Sequence, residues 1–371
     1  MRYAGFYCTI RVKSKPSSEQ TRFLAQPYTL SNNFNQWRSH FGSSNFAMKI
    51  SIGTDCSGTD APIYALARTK FVRKNKCKVV HKWSCDNATA AQEFIKLKHK
   101  PQKMYTCILK RHHSALPKAD VYTNGWPCTP FSSLGKRRGW QDPIMKVYKA
   151  MLKTLKTGKV KCFILENVPT LVNHNHGKTM RKIKGDLESA GFSVTWKVYN
   201  ARNFRLPQTR KRLYICGKKN SLGDIEEMPE APMLSPRNLS DILDEDMGTS
   251  KDKPPNGSHA GMTLKETLKQ LKCANCDTDN KAFVIDIDSS LHWQTIRKEQ
   301  SPALTRSRAM GFWITSKRRR MNAAEQFRCQ GFPTDQVRPL GSRRKMGQLA
   351  GNAMSVPIVT HILDWLLPQI K

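Results

Sequence analysis

The chain has 371 residues, enough for one large or two medium domains with an ample core. Lys plus Arg number 63 against 28 Asp plus Glu, a net charge of +35 that points to a polyanionic partner, most simply nucleic acid. No apolar run of ~18 residues offers a transmembrane span, and no basic amphipathic helix stands out for a membrane surface.

Residues 1 to 46 are rich in Ser, Asn, Gln, Arg and aromatics without a sustained period. They read as a partly ordered N-terminal arm: either a nucleic-acid contact or a solvated tail. The N-terminus lacks a hydrophobic signal region, so a reducing compartment is expected. The 11 cysteines are odd in number and scattered, which fits free thiols rather than a disulfide framework.

Order begins with an alternating strand at Phe46 to Gly53. A small-residue turn, Thr54-Asp55-Cys56-Ser57-Gly58-Thr59-Asp60-Ala61-Pro62, leads into a helix that starts at Ile63. Strand, turn, helix is how a doubly wound sheet opens a nucleotide-like cofactor site. The phosphate fingerprint G-x-G-x-x-G is absent, which disfavours a dinucleotide and an NAD-type oxidoreductase. A second strand, Lys78 to Trp83, ends near Asp86. That residue is either an acid spaced to accept ribose hydroxyls or an Asp in an exposed turn.

Asp120 to Asn124 is a later strand, followed by Gly125-Trp126-Pro127-Cys128-Thr129-Pro130-Phe131-Ser132. Two prolines stiffen this loop around one cysteine. It either aims a thiol at a fixed point or carries a buried structural cysteine. A helix is expected over 143 to 157, with Ile144, Val147, Met151 and Leu155 on one buried face. A strand at Lys161 to Leu165 ends in Glu166-Asn167-Val168, where a carboxylate is placed for ligand contact. A helix around 177 to 190 and strands at Ser193 to Tyr199 and Leu213 to Cys216 continue the alternation.

From 218 to 295 Pro, Asp, Glu and Ser dominate, turns are frequent and few segments are long. This reads as a small separate lobe. Its Cys273 and Cys276, with His259 and His292 at a distance, make either a zinc site or two unliganded cysteines. From 296 the compact pattern returns, with helices at Asn322 to Arg328 and, after Gln348-Leu349-Ala350-Gly351-Asn352-Ala353, through Leu367.

Four of these segments, in order around a variable lobe, resemble the cytosine-5 DNA methyltransferases. They are Gly125 to Ser132, Glu166-Asn167-Val168, Gln208-Thr209-Arg210-Lys211-Arg212 and Gly351-Asn352-Ala353. The resemblance covers roughly 48 to 217 and 296 to 368. It implies an α/β fold: a doubly wound, Rossmann-like methyltransferase sheet with a small, mostly irregular or β target-recognition lobe. Four parts are expected: the arm (1–46), a catalytic domain (47–217), the lobe (218–295) and a C-terminal return that completes the catalytic domain (296–371).

The resemblance also implies roles. Cys128 matches a nucleophile that adds to carbon 6 of an extruded cytosine, Glu166 the acid that binds the ring, and Arg210 and Arg212 the groups that hold the base carbonyl and the nucleophile loop. The implied cofactor is S-adenosylmethionine, held by Cys56, Ser57, Gly58, Thr59, Asp86, Gly125, Pro127, Val147, Asn352 and Ala353. Two departures bear on its affinity. The first turn keeps one glycine of the family's several, and Cys107 stands where the third strand usually ends in an adenine-binding Asp, a contact worth about 1–3 kcal/mol. The implied partner is double-stranded DNA, met by Ser132, Lys136, Arg137, Arg138 and Gln208, with the run Lys317-Arg318-Arg319-Arg320 as further phosphate contacts. No metal and no membrane are implied, and a monomer on DNA is expected. The basic runs suggest a nucleus, or the cytoplasm and nucleoid if the host is prokaryotic. Two other readings remain: a catalytically inactive relative that binds DNA or regulates, and an RNA cytosine-5 methyltransferase on this scaffold, whose Cys-Phe-Thr marker is missing here.

Overall fold

The computed structural model describes residues 48–127, 139–333 and 341–371. The expected N-terminal arm lies outside them.

Seven strands form one sheet: β1 (Met48–Asp55), β2 (Cys77–Cys85), β3 (Lys103–Tyr105), β4 (Ala119–Asn124), β5 (Val160–Asn167), β6 (Phe192–Asn200) and β7 (Lys211–Lys219). Their order is β3-β2-β1-β4-β5-β7-β6. The first five run parallel, whereas β7 is antiparallel to both neighbours. The central strands β4 and β5 are apolar on both faces because helices cover both. One core joins Ile52, Val121 and Ile164 to Leu66, Phe327 and Ile362; the other joins Tyr122, Phe163 and Leu165 to Met151, Leu155 and Ile183.

The helices that position the site are α1 (Ala61–Arg68), α2 (Thr89–Lys98), α3 (Met145–Lys156) and α4 (Lys178–Glu188). In α3, Met145, Tyr148, Met151 and Leu155 recur at helical spacing and are buried. The strand order reverses between β1 and β4, so the carboxyl ends of β1, β4 and β5 open on one crevice.

The lobe holds α5 (His259–Cys273) and a four-stranded sheet, β11-β10-β8-β9, built from β8 (Phe283–Ile285), β9 (Ile296–Lys298), β10 (Trp313–Ile314) and β11 (Arg319–Arg320). The 15-residue α5 was not expected in a turn-rich stretch. Ser258 starts it by accepting the Gly261 N–H at 3.1 Å, and Leu264 and Leu271 bury against Phe283, Ile285 and Trp313. His259 and Cys273 sit at opposite ends of this helix, ~21 Å apart, too far to share one ion. Strands β8 and β9 straddle residue 295, so the expected boundary cuts the small sheet. We propose that the lobe runs on to the end of β11.

α6 (Ala323–Cys329), α7 (Arg343–Asn352) and α8 (Val356–Leu366) return the chain to the catalytic sheet. The run Lys317 to Arg320 is not a free phosphate-binding face. Arg319 is buried and donates to Glu325 Oε1 at 2.8 Å and Oε2 at 3.0 Å; Arg320 pairs with Asp288 at 2.6 Å. Arg319 and Arg320 are thus spent in pairs that hold β11 to α6 and to Asp288, whereas Arg318 stays exposed, 3.1 Å from Asp279.

Candidate active site

The crevice holds a hollow lined by Asp55, Cys56, Ser57, Asp60, Ala61, Pro62, Thr123, Gly125, Glu166, Asn352 and Met354. Four separate chain segments meet there: the first turn, the end of β4, the end of β5 and the end of α7.

The first turn is tightly wound. Cys56, Gly58 and Asp60 all have left-handed φ, of 48°, 56° and 52°. Only one of the three is glycine, so the other two are strained and need holding. Asp60 supplies the hold. Its fully buried carboxylate accepts from Thr54 Oγ1 and Ser84 Oγ, both at 2.6 Å. Burial raises its carboxyl above the usual range, against hydrogen bonds that oppose the rise. Ser57 bridges to β2, donating from its backbone N–H to the Cys85 carbonyl at 3.2 Å and accepting the Cys85 N–H at 3.1 Å. Beneath the turn His99 Nε2 meets the Thr59 carbonyl at 3.0 Å, and burial pushes this imidazole down to about 4.

Asp86 caps the same turn: its Oδ2 accepts the Gly58 N–H and its Oδ1 the Ala88 N–H, each at 2.9 Å. Asp55, at the end of β1, is buried and saturated. Arg111 clasps both its oxygens, Tyr122 Oη donates at 2.6 Å and Trp83 Nε1 at 3.2 Å. Burial, then the charges of Asp86 and Asp55, push the Cys56 thiol well up, so it faces the hollow as a neutral group.

Gly125 is the point where the segments converge. A Cβ there would lie 3.3 Å from Met354 Cε, 3.6 Å from Glu166 Oε2 and 4.0 Å from the Cys56 carbonyl. Glycine leaves that space open. Glu166 is paired with Arg212, whose Nε lies 3.1 Å from its Oε1. Asn167 locks the approach to the cysteine loop by donating to the Trp126 carbonyl at 3.3 Å.

Of the residues expected to act, Glu166, Arg212, Cys56, Ser57, Gly125 and Asn352 are thus brought together, Arg212 through Glu166 and the others in the wall. Cys128, Ser132, Lys136, Arg137 and Arg138 lie outside the described residues; Pro127 leads directly to the first of them. Gly58 and Asp86 act through the backbone of the turn. One expectation, a DNA contact at Gln208, is corrected. Gln208 is fully buried, its amide donating to the Cys329 carbonyl at 2.9 Å and accepting the Leu304 N–H at 3.0 Å, so it straps the lobe to the sheet and has no group left for DNA. Val147 is half-buried on α3 and packs against the core; it is not among the residues that line the hollow. Thr59 is 1% exposed, and its Oγ1 has no hydrogen-bond partner among the described residues. Arg210 is buried and donates to the Ala353 carbonyl at 3.2 Å and to the Leu304 carbonyl, tying the wall segment 352–354 to β7. Cys107 is half-buried just past β3, outside the wall.

Asp55, Asp60, Thr123 and Met354 were not foreseen. Asp55 and Thr123 end central parallel strands, which is the signal that could have found them. Asp60 and Met354 are visible only once the turn and α7 are folded.

Residues 65–367 match the family described as C-5 cytosine-specific DNA methylase. The chain belongs to that family, the DNA cytosine-5 methyltransferases. The chain is 32% identical over 260 residues to the type II methyltransferase M.HaeII of Haemophilus aegyptius, covering 70% of this chain and 77% of that one. It is 29% identical over 268 residues to M.MspI of a Moraxella species, covering 71% of this chain but 60% of that relative, so it spans less than two thirds of the latter's length. M.NgoBI of Neisseria gonorrhoeae is 32% identical over 248 residues, 66% of this chain and 73% of its own. In fold, the methyltransferase resembles the Entamoeba histolytica methyltransferase EhMeth (TM-score 0.60, 14% identity, 87% of this chain and 99% of that one). It also resembles the S. pombe Dnmt2 methyltransferase (TM-score 0.57, 16% identity, 86% and 98%).

Proposed function

We propose that this chain methylates carbon 5 of cytosine in duplex DNA through a covalent adduct at Cys128. The observation that carries the reading is the Glu166–Arg212 pair in the wall shared with Gly125, Cys56 and Asn352. A carboxyl group held by a guanidinium, beside a space kept open by a glycine, suits a ring that must be gripped while a methyl donor lies alongside.

The residues around the hollow fit S-adenosylmethionine, the family's cofactor. The Gly125 cradle, the neutral Cys56 thiol and the Met354 thioether make an apolar patch in a wall that Ser57, Thr123, Glu166 and Asn352 leave largely polar, as suits a cofactor with a methyl-bearing arm and polar ends. Asp86 would hold it indirectly, by fixing the turn at Gly58. When bound, this cofactor supplies an electrophilic methyl group on a sulfonium.

The Cys128 thiolate forms a bond to carbon 6 of the cytosine, and the displaced ring electrons make carbon 5 nucleophilic. Glu166 binds the ring nitrogen and amino edge and stabilises the charge that develops there; Arg212 orients Glu166. Once carbon 5 carries the methyl group, loss of its proton to a base returns the electrons, breaks the carbon–sulfur bond and frees Cys128. None of these groups reaches a base inside a stacked duplex, so the target must be extruded. The chain acts as a monomer on DNA in this reading. The relatives named above by sequence are bacterial, which favours action on nucleoid DNA over the nucleus.

DNA carrying 5-fluorocytosine tests the reading, because a fluorine at carbon 5 cannot leave as a proton does. A denaturation-resistant protein–DNA species is expected with the parent chain and none with Cys128→Ala. Methyl transfer by Cys128→Ala at the parent rate would refute the nucleophile. Bisulfite sequencing of plasmid DNA from expressing cells would locate the target.

A further inference from the structure

The helix that follows the cysteine loop carries a second feature which the reaction does not use. In α3, Lys146, Lys149, Lys153 and Lys156 are all exposed, while Met145, Tyr148, Met151 and Leu155 are buried. The lysine spacings of three, four and three residues place the four charges within an arc of roughly 80° on one face. No Asp or Glu occurs anywhere in the helix, and none of the four lysines is in an ion pair with a described residue. This is the basic amphipathic helix that the sequence reading did not single out. Its rows of apolar and basic residues interleave so closely that the composition looks merely mixed.

The face is held rigidly. Tyr148 Oη donates to Asp186 Oδ2 on α4 at 3.1 Å, and the Trp140 ring meets Tyr148 edge-on at 5.2 Å. The acids of α4 nearest to it are already engaged: Asp186 by Lys182 at 3.1 Å and Glu188 by Lys184 at 2.7 Å. Topology fixes the direction of the row. Parallel strands β4 and β5 are joined by the cysteine loop and α3, so α3 starts at the carboxyl edge of the sheet, where the hollow opens, and runs away from it. From Lys146 to Lys156 the row extends ~15 Å, long enough to meet more than one phosphate of a duplex strand.

We propose that the lysine row of α3 is a docking face for the phosphate backbone of the DNA duplex flanking the target site. It rests on the reading that duplex DNA is the substrate, and it adds where the flanking arm lies. Charge complementarity selects the occupant: four unpaired cations at helical spacing, on a chain of net charge +35, match a polyanion with a regular repeat. Such contacts contribute affinity and register without reading sequence.

The test is a salt titration of DNA binding by the full chain and by K146Q/K149Q/K153Q/K156Q, with a long duplex and with one too short to reach beyond the hollow. With the long duplex, the slope of log affinity against log salt should become shallower by about 2–4 in the variant; with the short duplex, parent and variant should coincide. Replacing the four lysines by arginine should retain the parent slope. If the quadruple glutamine variant fails to melt cooperatively, K149Q and K153Q singly should each lower the slope by about one. An unchanged slope with the long duplex overturns the proposal. So does a variant that loses binding to vesicles of anionic lipid while its DNA slope holds, since the row would then serve a membrane surface. Cys128→Ala should keep the parent slope while losing the adduct, so failure of the docking face and failure of the proposed reaction give different results.

Discussion

Arg212 reaches Glu166 diagonally across two antiparallel strands. The register pairs Glu166 with Tyr214, two residues further along β7, so Arg212 and Glu166 project on the same face, with Nε and Oε1 3.1 Å apart. This arrangement makes the two side chains a unit. Glu166→Gln should lower the rate of methyl transfer by about 10²–10⁴ with little change in melting temperature. Arg212→Gln should act largely through Glu166. The double variant should then be less impaired than the sum of the singles, with a coupling of about 0.5–3 kcal/mol in the rate. Strict additivity, measured by single-turnover kinetics, would mean that the pair is not a unit.

Gly125 supplies a steric test. A methyl group added there meets the Met354 side chain at 3.3 Å and intrudes beside Glu166. Gly125→Ala should raise the KM for S-adenosylmethionine by roughly 10- to 100-fold, corresponding to about 1–3 kcal/mol of overpacking. Shortening the obstacle, in Gly125→Ala with Met354→Ala, should recover part of the loss. A Gly125→Ala protein with parent KM would show that the space is not used.

The half-buried histidines beneath the first turn predict a pH dependence of stability. Burial pushes both His81 and His99 down to about 4, from an ordinary value of 6.5. Between these values the unfolded chain binds protons that the fold refuses. Their contribution is therefore complete above about pH 6.5 and is lost as pH falls towards 4, at about 1.4 kcal/mol per unit for each ring. Asp60, whose carboxyl is raised from 3.8, has the opposite sign, taking up protons in the fold first and offsetting part of the loss at the acid end. Urea melts at pH 7 and pH 5 should show the fall, and His99→Gln should flatten it. Equal stability at both values in the parent would contradict it.

Arg319 and Glu325 form a buried pair, 4% and 0% exposed, that fastens the small sheet to α6. Glu325→Gln leaves Asp246, 2.9 Å away, as the remaining carboxylate partner of Arg319, and leaves one amide oxygen where two carboxylate oxygens served the guanidinium and the Asn322 N–H. It should cost about 1–3 kcal/mol in denaturant unfolding, the loss of a charged hydrogen-bond partner in a buried site. A loss near zero would mean that water reaches the pair.

Much of this architecture is legible in the sequence because its signals are local. Apolar runs ending in Asn124 and Asn167 announce central strands, and the row of buried residues from Met145 to Leu155 announces α3. What escapes is what depends on partners far along the chain. Lys317 to Arg320 reads as a free basic run until Asp246, Asp288 and Glu325 are seen around it. Gln208 sits in a telling motif yet serves Cys329, 121 residues away. The helix His259–Cys273 was masked by the prolines and acids that flank it, although Ser258 marked its start. The row of lysines on α3 is equally local, but it emerges only when charge is resolved by helix face, since apolar and basic residues alternate along the segment.

Arg210 hydrogen-bonds to the Ala353 carbonyl across 143 residues of sequence, and Asn352 and Met354 form a wall of a hollow whose floor is laid by residues 55 to 62. A growing polypeptide can therefore complete most of the seven-stranded sheet and still lack a place for the methyl donor. On the proposed function, a chain that stops short of residue 354 would lack one wall of the hollow that the methyl donor needs. Nascent chains stalled short of that residue should bind DNA yet retain no S-adenosylmethionine in equilibrium dialysis; retention by such a fragment would show that the wall is dispensable.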